Sequence, residues 1–153
     1  MNSAKNLIFP TLYLRIAIGS AYLWEVADRF GILGANGKPH VGWGDWGHFI
    51  AYARQVMSFL PAGIIPVMAT LATIGEATFG LLIMTGLFTR FAAIGSGLLS
   101  LCFACAMAIS FGIDSPLGYS VFTLSAASFV LASLPNNPYS IDALLMKNAE
   151  HDR

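Results

Sequence analysis

The sequence predicts an all-α membrane protein, a bundle of four transmembrane helices with an amphipathic interfacial helix between the first and second. Three observations predict it. Of 153 residues, 56% are hydrophobic and only 10% are charged, against about 25% charged in ordinary soluble domains. From Pro61 to Leu134 the only formally charged residues are Glu76, Arg90 and Asp114. Four apolar stretches approach the ~20 residues that a helix needs to cross a hydrocarbon core ~30 Å thick. The composition excludes a disordered chain, and eight basic against eight acidic residues leave no basic face for nucleic acid.

The whole chain, 1–153, reads as a single membrane domain. The spans fall at about 7–26, 63–88, 91–111 and 117–134. Period-2 alternation is absent, and backbone groups in lipid must be satisfied internally, so the spans are helices. In the first span the apolar run contains Arg15, and no clear A-x-A site follows, so it reads as a retained helix rather than a secretory signal. Pro61 and Pro66 mark the entry to the second span, where a first turn tolerates proline. Gly86 to Arg90 forms a tight turn, which makes spans two and three antiparallel neighbours. Gly112 to Pro116 separates spans three and four, and Pro135-Asn136-Asn137-Pro138 stops the fourth. The remainder, within a polar tail over 135–153, reads as a small surface helix on a solvated end.

Between spans one and two, Gly31 to Gly44 is rich in turn formers. Asp45 is a candidate N-cap. From Trp46 the apolar positions Trp46, Phe49, Ile50, Ala53, Val56, Met57 and Leu60 step by three and four along one helical face. This predicts an amphipathic helix over about 46–58, lying along the membrane surface as a connector or over the mouth of the bundle as a lid. Trp24, Trp43 and Trp46 suit the headgroup zone. Lys5, Arg90, Lys147 and Arg153 fall on one side of the membrane and Arg29, Lys38 and Arg54 on the other. That distribution predicts a multi-pass protein of the bacterial inner (plasma) membrane with both ends inside.

Ionisable residues inside a membrane usually pair, face the bundle interior and mark function. Arg15 lies ~12 Å above the inner end of span one and Glu76 ~18 Å above the inner end of span two, so an Arg15–Glu76 pair is expected, with a Tyr or Thr sharing the carboxylate. Tyr22 and Thr73 fall on the same inward stripes, and Gly19, Gly75 and Gly80 permit close helix approach. The pair is either the organiser of a polar pocket or a helix-locking contact without chemistry. Glu25, Asp28, Arg29 and Asp114 fall near the outer mouth, as pocket residues or as solvated helix ends.

Cys102 and Cys105 sit one turn apart on one face of span three. They are either small packing residues or the catalytic residues of a thiol–disulfide pair exchanging electrons with a membrane quinone. The second reading requires a partner that brings its own thiols. His40, Asp45 and His48 share the long loop without a recognised ligand spacing, so no metal site is assigned. No histidine lies in a span, which argues against a haem-bearing core.

Two segments carry a family resemblance. Leu14-Arg15-Ile16-Ala17-Ile18-Gly19 fits L-R-x-x-x-G, and Glu76 through Arg90 fits E-x-x-x-G-x-x-x-x-x-G-L-x-T-R. The membrane core from Leu12 to Leu134 thus resembles the DoxX family of small four-helix membrane proteins, whose motif residues here are Arg15, Gly19, Glu76, Gly80, Gly86 and Arg90. The resemblance implies the fold strongly and the activity weakly. It points to a subunit linked to thiosulfate:quinone oxidoreductase and quinol oxidase activity, with quinone as the implied cofactor. A membrane assembly or stabilising partner is the alternative, and a small-solute transporter a weaker one. The implied partners are the bilayer, another membrane or redox protein, and further copies of the chain.

Overall fold

A computed structural model describes residues 7–135 and 137–151. Lys5, Asn136 and Arg153, used above, lie outside them. The described residues form seven helices and no strand: α1 (Ile8–Arg29), α2 (Trp46–Val56), α3 (Ile65–Thr85), α4 (Thr89–Phe111), α5 (Asp114–Gly118), α6 (Val121–Ser133) and α7 (Ile141–His151). The helices α1, α3, α4 and α6 pack as two tight pairs, α1 on α3 and α4 on α6. These join through α3–α4 and, less extensively, α1–α6. α2 lies against α3 and α4 and reaches α1.

The turns follow from local chemistry. Asp45 caps α2, its Oδ1 accepting from His48 N at 2.9 Å. That satisfies one of the orphan donors of a first turn. Gly86 closes α3 in the left-handed conformation at φ 71°, the usual glycine solution at a helix end. Phe88 is also left-handed, at φ 47°. Its amide, together with that of Thr89, is held by the Asp142 carboxylate at 2.8 and 2.9 Å. The tail carries the expected surface helix, α7, exposed over most of its described length and anchored through its first turn. The N-terminal turn of α7 docks onto the α3–α4 turn, and Asp142 N returns a bond to Gly86 O at 2.9 Å.

Among the described residues two helices, α3 and α4, are long and apolar enough to cross a membrane. α1 has similar length but carries Arg15, Glu25, Asp28 and Arg29. The fourth predicted span is broken: Ser120, left-handed at φ 57°, separates α5 from α6. α6 alone, with 13 residues, rises only ~20 Å.

The burial pattern is inverted relative to a soluble bundle. The inner face of α4 is small and hydroxylic: Ala92, Ala93, Ser96, Gly97, Ser100 and Ala104. Large apolar side chains face outward, among them Leu71, Ile74 and Leu81 on α3 and Phe91, Leu98 and Ile109 on α4. Small residues let the backbones close up. A Cβ added at Gly19 would stand 3.0 Å from Gly80 O and 3.2 Å from Met84 Cβ, so this crossing sets the register of α1 against α3.

Candidate functional site

That register decides which arginine meets Glu76. Side chains on a helix lean toward its N-terminus. On α1 both arginines therefore lean toward the α3–α4 turn, and on antiparallel α3 Glu76 leans the other way. Arg29 and Glu76 approach each other, whereas Arg15 points away. The expected Arg15–Glu76 pair is thus replaced by Arg29–Glu76. Both Glu76 oxygens are engaged: Arg29 Nη1 donates to Oε2, and Nη2 donates to Oε1 at 3.0 Å. Arg29 Nη1 also donates to Thr73 Oγ1 at 2.8 Å, and Thr73 Oγ1 donates to Ala69 O at 2.9 Å. A threonine does join the pair, but through the guanidinium rather than the carboxylate.

The long loop roofs this pair. The Arg29 guanidinium carbon lies 4.0 Å from the Phe49 ring centroid and 5.3 Å from that of Trp43, within cation–π range. Trp43 and Phe49 pack edge-on at 5.2 Å. Asp28 ties the roof down, its Oδ2 accepting from Gly42 N at 3.0 Å and Trp43 N at 2.8 Å. Asp28 and Arg29 are 3% and 4% exposed, which removes them from the class of solvated helix ends. Glu25 is half-buried, and only Asp114 of the predicted mouth residues is exposed. Among the described residues, Asp28 Oδ1 and Arg29 Nε are buried without a hydrogen-bond partner.

Arg15 builds the opposite end. It is 1% exposed and bonded wholly to backbone. Nε donates to Ile83 O at 3.0 Å, Nη2 to Met84 O at 3.1 Å, and Nη1 to Pro138 O and Tyr139 O at 3.1 Å each. It thus caps the C-terminal carbonyls of α3, where a cation is favoured, and staples the tail to the bundle. Gly86 must lack a side chain here, because a Cβ would collide with the Arg15 guanidinium. Arg90 is exposed at the start of α4. Asp142 carries a depressed pKa. Burial works against ionisation there, but hydrogen bonds from Thr89 and Phe88 and the charge of Arg15 outweigh it.

Tyr22 belongs to a third group. Its hydroxyl donates to Ser96 O at 2.8 Å and lies 2.5 Å from Ser100 Oγ. Ser96 Oγ in turn reaches Ser128 Oγ at 2.8 Å, linking α1, α4 and α6 through buried hydroxyls. These serines escaped the sequence reading, although Ser96 and Ser100 share a helix face at i, i+4. The roofing roles of Trp43 and Phe49 also escaped it.

Cys102 and Cys105 are free thiols on the exposed face of α4. His48 pairs with Asp45 at 2.7 Å on the surface, and His40 is exposed. The Asp45 carboxyl is held below its usual range by the His48 backbone and side-chain hydrogen bonds. Among the described residues no three His, Cys, Asp or Glu side chains converge as a metal site.

No curated protein and no solved structure matches the chain. A family model described as the TQO small subunit DoxD matches residues 10–152. That span takes in both motif segments and the loop, and it supports a DoxX-like family without confirming the specific DoxX label. The chain belongs to the DoxD family.

Proposed function

We propose that this chain is the membrane-embedded small subunit of a thiosulfate:quinone oxidoreductase, contributing a quinone-linked site at the roofed Arg29–Glu76 cluster. The observation that carries the reading is the family match over residues 10–152. The outward apolar faces of α3 and α4 support a lipid surround. In this reading α1 and the α5–α6 pair supply two further spans, the charges of α1 being neutralised internally. With Arg29 buried, Lys38 and Arg54 stand at the loop end and Arg90 and Lys147 at the turn end, and in the sequence Lys5 precedes α1 and Arg153 follows α7. This supports an inner-membrane orientation with both termini inside.

A small subunit works beside a larger one. The thiosulfate-oxidising chemistry is assigned to that partner, and this chain serves the quinone side. The exposed thiols of Cys102 and Cys105 are open to a partner that brings its own thiols.

One observation favours a second reading, a non-enzymatic assembly partner: both Glu76 oxygens are already satisfied by Arg29, as in a helix lock. The double variant Arg29→Met/Glu76→Leu separates the two. A lock replaced by apolar packing still assembles the complex, whereas a quinone-linked cluster loses electron transfer from thiosulfate to quinone. Full activity of the assembled double variant would leave the pair a lock. Solvent extraction of the purified wild-type complex should yield quinone, and an active complex free of it would refute the quinone-linked reading.

A further inference from the structure

The last helix docks the wrong way round for a soluble protein. α7 meets the bundle through polar and small groups. Ser140 is buried and caps the helix, its Oγ accepting from Ala143 N at 3.1 Å, and Asp142 and Ala143 are half-buried. The Asp142 carboxylate accepts from Phe88 N, Thr89 N and Thr89 Oγ1. The apolar residues Ile141, Leu144 and Leu145, three and four apart on one face, turn outward instead. Leu144 is 62% exposed and Leu145 55%. Water is a poor solvent for such a stripe, and an exposed apolar patch marks a surface that something else covers.

Position says what covers it. The bonds of Asp142 to Phe88 and Thr89 hold the first turn of α7 at the α3–α4 turn. That is the level at which the two helices long and apolar enough to cross a membrane reverse, so α7 starts at the edge of the hydrocarbon. The side chains around it have the composition of that boundary. Phe88, Phe91 and Tyr139 are exposed aromatics, and Arg90 and Lys147 are exposed cations. Aromatic rings settle at the headgroup level, and long basic side chains reach lipid phosphates from there. Phe91 also opens the outward apolar face of α4 that Ile94 and Leu98 continue. Beyond Lys147, Glu150 and Asp152 stand against Arg153 in the sequence, so attraction to lipid rests on the apolar stripe and not on net charge.

We propose that α7 is an interfacial anchor. It lies in the headgroup layer at the turn end, with Ile141, Leu144 and Leu145 inserted toward the acyl chains and Lys147 reaching phosphate. Asp142 ties the anchor to the start of α4, and Arg15 ties the segment before it to α1, Nη1 donating to Pro138 O and Tyr139 O. The anchor thereby fixes the depth at which the bundle sits. The proposal rests on the membrane-embedded part of the reading above and is independent of its quinone chemistry.

Spin labels test it. The full chain, with Cys102→Ser and Cys105→Ser as background, carries one label at Leu98→Cys, Leu144→Cys, Leu145→Cys or Lys147→Cys in phosphatidylethanolamine–phosphatidylglycerol bilayers. Relaxation by oxygen, which concentrates in lipid, is compared with relaxation by a water-soluble nickel chelate. Labels at positions 144 and 145 should respond to oxygen and lose the response to nickel, as at position 98, while position 147 shows the reverse. Nickel relaxing 144 and 145 as strongly as 147 means a solvated tail and overturns the proposal. Shielding of 144 and 145 from both reagents overturns it too, because a second copy or a larger subunit then covers the stripe. Nickel relaxing position 98 as well would sink the membrane placement along with the anchor. Lipids with a diazirine on the acyl chain put the same question to the wild-type chain if a labelled variant does not fold. Adducts on residues 141–145 support the anchor, and adducts confined to α3 and α4 overturn it.

Discussion

The two buried arginines of α1 lie 14 positions apart, or ~21 Å along the helix, and are held by opposite chemistries. Arg15 rests on four backbone carbonyls drawn from α3 and the tail. Arg29 rests on a carboxylate, a hydroxyl and two aromatic rings. Carbonyls do not change charge, so the bonds of Arg15 itself are fixed, and the titrating group at that end is Asp142. The Glu76 carboxylate that holds Arg29 does, and its environment is set by the loop that roofs it. The family motif residues Arg15, Gly86 and Arg90 cluster at the turn end, whereas Glu76 alone reaches the roofed end. With Gly19 and Gly80 at the crossing of α1 and α3, five of the six motif residues lie outside the roofed cluster.

The largest expected effect breaks the roofed end. Arg29→Met leaves Glu76 buried without its partner, which costs about 3–5 kcal/mol. The double variant Arg29→Met/Glu76→Leu should recover most of that loss, because matched apolar side chains replace a buried pair at little cost. Arg15→Met should show no such rescue from Glu76→Leu. Thermal unfolding of the four variants in detergent measures the coupling. Coupling of Glu76 to Arg15 rather than to Arg29 would reinstate the pairing expected from depth.

That expectation shows how far the sequence was legible. Helix positions were readable from apolar length and turn residues: 91–111 was expected where α4 runs from Thr89 to Phe111, and 46–58 where α2 runs from Trp46 to Val56. The Asp45 cap and the Gly19–Gly80 approach were equally legible, because capping and close contact depend on residue type at one position. The partner of Glu76 was not. Depth alone placed Arg15 within reach, but the direction in which side chains lean sends Arg15 one way and Glu76 the other. Arg29 is legible as a mouth residue, in a pocket or at a solvated helix end, and nothing local decides between the two. The same holds for the tail, whose Asp142 carboxylate is held by residues more than 50 positions away. The break at Ser120 rests on a left-handed serine, which composition does not announce.

The fixed end is tested next. Gly86→Ala places a side chain at φ 71°, worth about 1–2 kcal/mol from backbone strain alone, and it also displaces the Arg15 guanidinium. Stability should fall by more than the strain alone, and limited proteolysis should release the tail after Leu134. Release without loss of the Arg29–Glu76 coupling would show that the two ends respond independently.

A smaller effect follows from pH. The Asp142 carboxyl has a depressed pKa in the folded protein: burial opposes its ionisation, but the bonds from Thr89 and Phe88 and the charge of Arg15 prevail. Its contribution is complete above the unfolded value of about 3.9 and disappears as pH falls through the folded value. Tail docking should therefore hold at neutral pH and weaken only below about pH 4, where proteolysis of α7 should accelerate. Asp142→Asn should remove that acid dependence and expose the tail at neutral pH.

The smallest structural effect is expected where the sequence offered its sharpest redox motif. Cys102 and Cys105 stand on the exposed face of α4, while its packing face is built from Ala92, Ala93, Ser96, Gly97, Ser100 and Ala104. Serine at both positions removes no core contact, so unfolding should shift by no more than about 0.5 kcal/mol, as for most surface substitutions. That neutrality makes the double serine variant informative about function, since a change in turnover cannot be blamed on the fold. If the roofed Arg29 end serves the quinone, thiosulfate-dependent quinone reduction by the complex should survive the substitution. Loss of turnover with an unchanged unfolding transition would move electron transfer to the thiols, and would return the Arg29–Glu76 pair to the same architectural status as Arg15.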